Sequence, residues 1–261
     1  MRTIVISLGS ILEDGISFIE SVLQKYKQQR IVFVVESSHQ YRLDIATAGP
    51  AGDKKFGDIF IKTKKQFLDI ATTLFSQDDD EIEMAKKWID KYFNNIESIC
   101  YRLEEKKERY EWIAFHLDKL QFGFFHLFLN KKYETAQYKK GQKFIKIYDK
   151  SKKCHARVRV NESITMIQSE FFVDDKTIYI TEGGVGTMTR DKLRAFSLKG
   201  ADVMSALIAV ACDNGKTEVI FALPSKEQTP HDFALRILGT TNILHTAGTV
   251  ENILKHKVPV L

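Results

Sequence analysis

Residues 179–220 contain the clearest anion chemistry in the chain. An apolar strand runs into Gly183-Gly184-Val185-Gly186, then a loop with Arg190, Lys192 and Arg194, then Lys199-Gly200-Ala201-Asp202 at the head of an apolar helix. N–H groups at a helix start lack intrahelical partners and sit at the positive end of the helix dipole. They therefore receive anions such as phosphate, and cations ahead of them add to the attraction. Arg190, Arg194 and Lys199 either grip phosphate or belong to a solvated hairpin loop. Asp202 either holds magnesium, orients a nucleophile or caps its own helix. A second turn, Ser7-Leu8-Gly9-Ser10, closes the first strand. Gly9 and Ser10 offer backbone donors to a phosphate, or form a plain strand-to-helix turn. Neither segment is a P-loop or a dinucleotide fingerprint. His116, His126 and His245 have no pairing that suggests a metal site or a serine triad, so no metal ligand set is expected.

Strands must deliver these turns to one edge, and helices must begin there. Residues 3–8 are a β-branched run broken by Gly9, which predicts a strand entering a tight turn. Ile16, Ile19, Val22, Leu23 and Tyr26 repeat at helical spacing and predict an amphipathic helix over 14–29. Residues 31–35 are continuously apolar, as in a strand buried on both faces of a parallel sheet. This strand–helix–strand opening sets the class as α/β. Helices are expected over 64–75, from an acidic start at Asp78 and Glu81 through Ile96, and over 109–120. Together they form a helical insertion or lobe at about 64–130. The charge run 104–109 predicts a solvated helix face or a link. Trp88, Trp112 and the aromatics of 122–128 fall at helical spacing and are expected in the core. Strands return at 144–148, 177–181, 217–223 and 258–261. A helix capped by Asn161-Glu162 runs to Phe171, with a turn at Asp174-Asp175. The expectation is one domain over 1–261, a three-layer αβα sandwich with a mainly parallel sheet. Gly9, Ser37, Gly183 and Gly200 should converge at its carboxyl edge.

Hydrophobic residues make up 44% of the 261 and charged residues 28%, an ordinary soluble globular profile. A net charge of +5 favours anionic ligands, but no basic block is interleaved with aromatics, so no nucleic-acid partner is expected. Cys100, Cys154 and Cys212 are widely spaced and odd in number, which argues for reduced, mostly buried thiols rather than a disulfide framework. No apolar stretch approaches the length of a membrane span, and the first residues end in a glycine turn rather than a cleavage site. A cytoplasmic protein without a membrane partner is expected.

Taken in order, these motifs resemble the catalytic domain of aspartate kinases, in the amino acid kinase family. That family opens with K-F-G-G-T-S, matched here by Ser7-Leu8-Gly9-Ser10-Ile11-Leu12, with Gly9 kept, Ser7 in place of the lysine and Ser10 in place of the second glycine. Its V-S-A turn corresponds to Glu36-Ser37-Ser38, and its G-E motif to Tyr110-Glu111. Thr181, Gly183 and Gly186 match T-Q-G-F-I-G, and Gly200 and Asp202 match G-R-G-G-S-D, with Ala201 for serine. The acids of W-T-D-V-D-G are absent from Phe221-Ala222-Leu223-Pro224-Ser225-Lys226, while Leu238–His245 echoes F-G-A-K-V-L-H-P.

The resemblance implies the amino acid kinase fold, ATP and Mg2+ as cofactors if active, and an amino acid or other carboxylate as the small-molecule partner. It places Ser7 and Asp202 at the catalytic positions and Glu111 and Ser37 at the substrate. Gly9, Ser10, Gly183, Lys199, Gly200, Arg190 and Arg194 fall on the phosphate side. Glu111 would meet a substrate α-amino group, or is simply a first-turn acid favoured by the dipole. Aspartate kinases usually dimerise, so a homodimer is implied, although their regulatory ACT domains lie beyond the point where this chain stops. Phosphoryl transfer depends on positioned positive charge, and a serine at the lysine position removes a major stabiliser. Three readings stay open: an active ATP-dependent kinase of a carboxylate such as aspartate that uses an altered set of charges, a non-catalytic ligand-binding or partner subunit, and an enzyme of this fold acting on another acid. The expectation is an aspartokinase-like protein with weak or lost activity.

Overall fold

The computed structural model describes residues 2–9, 15–49, 53–76, 78–133, 136–148, 158–172, 178–188, 193–195, 199–213, 215–223, 229–249 and 253. In chain order the elements are β1 (Thr3–Gly9), α1 (Gly15–Lys25), β2 (Arg30–Val35), α2 (His39–Thr47), α3 (Lys54–Leu74), α4 (Asp79–Arg102) and α5 (Lys106–Lys132). They continue with β3 (Ala136–Lys139), α6 (Gly141–Phe144), β4 (Lys146–Ile147), α7 (Val160–Glu170), β5 (Ile178–Glu182), β6 (Val185–Met188) and β7 (Leu193–Ala195). The last are α8 (Gly200–Ala211), β8 (Thr217–Leu223), α9 (Asp232–Leu238) and β9 (Leu244–Thr249).

Six strands form the main sheet in the order β3-β5-β2-β1-β8-β9, every neighbouring pair parallel. A smaller sheet orders β4-β6-β7, with β6 and β7 antiparallel. Side chains alternate across the main sheet as the strand period of two requires. Ile4, Ile6 and Leu8 of β1, with Ile31, Phe33 and Val35 of β2, pack into one core with α1 to α5. Val5, Val32 and Val34 face the other way, into a core with α7, α8 and α9. Helices therefore cover both faces, and the three-layer α/β expectation holds.

Local signals explain where several helices begin. The Asp78 carboxylate accepts from Glu81 N at 3.1 Å, and three acids fill the first turn of α4 where the dipole favours them. Helix α3 starts ten residues before its expected position because Asp53 caps it, accepting from Lys55 N at 2.9 Å. Its inward stripe begins at Phe56 and continues through Phe67 and Ile70. Helix α5 runs well past 120 because Phe124 and Phe128 extend its apolar stripe.

Several expectations are corrected. Trp112 is 41% exposed, since Ile113 and Leu117 turn inward and leave their neighbour on the outer face. Arg109 closes the charge run yet is buried, donating to the carbonyls of Leu103, Glu104 and Ala46. Residues 144–148 are a helical turn followed by a two-residue strand, because Phe144 packs edge-on against Phe171. Helix α7 is entered from Arg159, which pairs with Glu162 at 2.8 Å, rather than capped by Asn161-Glu162. Strand β9 forms the sheet edge, while 258–261, Cys154 and Asp174-Asp175 lie outside the described residues. Cys100 and Cys212 are free thiols. Among the described residues, no helix is long and apolar enough to cross a membrane.

The same apolar cluster contains strand residues and Phe67 of α3, whose ring meets those of Tyr41, Phe93 and Phe124 at 5.8–6.3 Å. Phe67→Ala is expected to cost about 3–5 kcal/mol. In urea denaturation, circular dichroism and fluorescence should still report one coincident transition. Two separated transitions would show that the helices and the sheet unfold independently.

Candidate functional site

Four chain segments meet at the carboxyl edge of β1, β2 and β5. Gly9 pairs with Val35 at the end of β2, and Gly183 N donates to Val35 O at 3.0 Å just past β5. A Cβ on Gly183 would lie 2.5 Å from the Ala201 Cα, so only glycine lets β5 run this close to the head of α8. Ser37 follows β2, and Gly200 is the first residue of α8. The convergence expected for Gly9, Ser37, Gly183 and Gly200 is present.

The contacts of these groups are more specific than their spacing suggested. Ser7 is buried, and its hydroxyl donates to Asp202 Oδ1 at 2.6 Å. The other oxygen of Asp202 accepts from His231 N at 2.9 Å. Asp202 therefore ties β1 to the start of α9 instead of capping its own helix. Burial raises its pKa, opposed by the Ser7 and His231 hydrogen bonds and by the charge of Lys199. Lys199 is a left-handed residue, φ 50°, at the N-cap of α8, and its ammonium donates to the Thr229 carbonyl. Strain of this kind is tolerated only where its surroundings hold it.

The anion at the head of α8 belongs to the protein. Ala201 N donates to Glu36 Oε2 at 2.8 Å. Glu36 Oε1 accepts from Arg42 Nη1 at 2.8 Å, and Arg42 Nη2 donates to Asp118 Oδ1 at 2.6 Å. Arg42 Nε donates to Ser37 Oγ at 2.8 Å, while Ser37 donates to Asp118 Oδ1 through both its amide (2.8 Å) and its hydroxyl (2.6 Å). Arg42 is fully buried, and Glu36, Ser37 and Asp118 are nearly so. Burial works against the Arg42 charge, but Asp118 and Glu36 outweigh it and its pKa rises. Burial pushes the Asp118 carboxyl upward, against the pull of Arg42 and with a further push from Glu36. Asp118 Oδ2 is buried without a partner, and a Cβ on Gly184 would come within 2.1 Å of it.

Of the expected residues, Ser7, Ser37, Gly9, Gly183, Lys199, Gly200 and Asp202 lie together. Glu111 sits on α5 two turns before Asp118 and is partly exposed, and Asp118 is the α5 carboxylate that reaches Ser37. Arg194 lies in the middle of β7, and Ser10 and Arg190 fall outside the described residues. Glu36, Arg42 and Asp118 were not anticipated. Asp118 did leave a signal, an acid in the buried stripe of Ile113, Leu117 and Leu120.

Among the described residues, this edge is rich in buried carboxylates, and Arg42 and Lys199 already have partners within the protein. Arg42 serves Glu36 and Asp118, and Lys199 serves a carbonyl. No group of three or more His, Cys, Asp and Glu placed to hold a metal exists among the described residues. Both Asp202 oxygens already accept hydrogen bonds. Asp202 and the Ala201 amide are thus already engaged within the protein.

The fold is an α/β sandwich with a polar site at its carboxyl edge. It is similar to aspartokinase III of E. coli in complex with aspartate and ADP (R-state), at TM-score 0.77 and 11% identity over 97% of this chain and 62% of that one. The same enzyme with lysine and aspartate (T-state) gives 0.79 and 13% over 96% and 63%. The aspartate kinase of Clostridium acetobutylicum gives 0.65 and 11% over 95% and 60%. The chain thus spans less than two thirds of each. No family model and no curated protein sequence matches it.

Removing one partner of a buried ion pair strands the others. Arg42→Ala should therefore cost about 3–5 kcal/mol near neutral pH. Asp118 has a raised folded pKa, so it burdens the variant above that pKa and is relieved as protonation proceeds. Part of the loss should return as pH falls from about 7.5 toward the ordinary carboxylate range near about 4. Urea midpoints across that window check this, and a loss that does not shrink toward acid would contradict the assignment.

Proposed function

We propose that this chain is an aspartokinase-like protein of the amino acid kinase fold, in which ATP-dependent phosphorylation of an amino-acid carboxylate is weak or lost. The observation that carries this reading is the Glu36 carboxylate on the Ala201 amide, held by Arg42. The similarity to aspartokinases supports the fold, and the aspartate and ADP in complex with E. coli aspartokinase III suggest the chemistry to test. Phosphoryl transfer needs preorganised cations where charge develops on the moving group. Here Ser7 offers a neutral hydroxyl already given to Asp202. The amide at the head of α8 is committed to an internal anion, and its neighbouring guanidinium is committed to two carboxylates. That commitment also favours a second reading, a non-catalytic ligand-binding or partner subunit that retains the kinase fold.

Aspartyl phosphate trapped as its hydroxamate should be absent or very low with the wild-type chain, ATP and magnesium. Ser7→Lys restores an ammonium beside Asp202, and a rise in trapped product would show that the missing cation limits an otherwise competent site. Robust wild-type turnover, insensitive to Lys199→Ala and Arg194→Ala, would contradict the proposal. Nucleotide binding is read separately: ATP at about a hundred times its dissociation constant stabilises a fold that binds it by about 2.7 kcal/mol. A melting temperature unmoved by millimolar ATP, with or without magnesium, supports the second reading over the first.

A further inference from the structure

A pocket of about 420 Å³ opens between α4, α5 and β3, a volume typical of sites for small organic molecules. Its walls are aromatic: Trp88 and Tyr92 from α4, Phe115 and Phe122 from α5, and Tyr138 from β3. Phe122 and Tyr138 stack with centroids 3.8 Å apart. Gly123 lies inside the long helix α5, where glycine costs about 1 kcal/mol relative to alanine. A Cβ there would come 2.9 Å from the Trp88 ring, so the glycine seats that ring on the helix backbone and shapes the wall.

The polar groups are equally selective. Lys119 is neutralised by Glu182, which also accepts from the Tyr138 hydroxyl at 3.0 Å. Gln142 lines the pocket, and its Oε1 is buried without a hydrogen-bond donor. Glu182, 2% exposed behind Lys119, likewise has Oε2 unpartnered. Buried acceptors are normally satisfied, so an unpaired one in a pocket wall points to a donor on a ligand. Lys140 is exposed at the same pocket, and among the described residues its ammonium forms no ion pair. With Lys119 and Lys140 against Glu182, the surroundings carry one surplus positive charge.

An aromatic ring for the walls, a donor for Gln142 and an anion for Lys140 occur together in one class of small molecule. We propose that this pocket binds an aromatic α-amino acid, its ring among Trp88, Phe115 and Phe122, its ammonium toward Gln142 and its carboxylate toward Lys140. The residues lining this pocket differ from those at the neighbouring α8 edge, and its occupancy does not depend on phosphoryl transfer.

Isothermal titration calorimetry of the full chain with L-phenylalanine, L-tyrosine and L-tryptophan tests this. At least one should bind, and Gln142→Leu and Lys140→Ala should each weaken it about tenfold or more without moving the melting temperature. Dropping the amine (3-phenylpropionate) or the carboxylate (phenethylamine) should weaken binding similarly. The chain has two tryptophans, so Trp112→Phe leaves Trp88 as the sole tryptophan, and its selectively excited emission should respond to L-phenylalanine. No binding by any of the three amino acids, equal binding by L-leucine, or indifference to both variants would overturn the proposal.

Discussion

A single buried guanidinium organises the carboxyl edge of this sheet. Arg42 leaves α2 and binds Glu36 and Ser37 at the end of β2 and Asp118 in the middle of α5. Glu36 then reaches on to the first turn of α8. One side chain thus links a strand end, two helices of one layer and the leading helix of the other. A charge buried this deeply persists only when its partners are held in place, because transfer from water costs each ion several kcal/mol before pairing returns it. The rest of the site is arranged around that requirement, including the two glycines that let β5 pass close to Ala201 and Asp118.

This arrangement changes what a helix N-terminus means here. Free first-turn amides at the edge of an α/β sheet invite a phosphate from solution. At α8 the invitation is answered from inside by Glu36, and Arg42 neutralises the pair. The same economy appears at Ser7 and Asp202, where a hydroxyl and a carboxylate bind each other and β1 is fastened to the loop before α9. Polar residues that would serve a ligand instead serve one another.

The neighbouring strand end behaves differently. Glu182 closes β5 and pairs with Lys119 and Tyr138, yet one of its oxygens stays without a partner. Beside it lies a pocket with aromatic walls, a lone amide acceptor and a cation at the surface. Two buried carboxylates at adjacent strand ends therefore differ: both oxygens of Glu36 are committed within the fold, and one oxygen of Glu182 has no hydrogen-bond partner.

Local patterns in the sequence determined the α/β class, the buried parallel strands β1, β2, β5 and β8, the cap at Asp78 and the glycine turns that follow β1 and β5. Each of these follows from periodicity or from a turn residue within a few positions, which short-range physics sets. The early start of α3, the length of α5, the exposure of Trp112 and strand β9 were not legible, because packing against distant elements decides them. The site divides in the same way. Ser7, Ser37, Gly183, Gly200 and Asp202 stood out by type and spacing. Which group satisfies which did not, because Glu36 and Ala201 are 165 residues apart and Ser7 and Asp202 are 195 apart. Only the folded chain brings those partners within hydrogen-bond range, and burial then turns a surface-like charge such as Arg42 or Asp118 into a structural one.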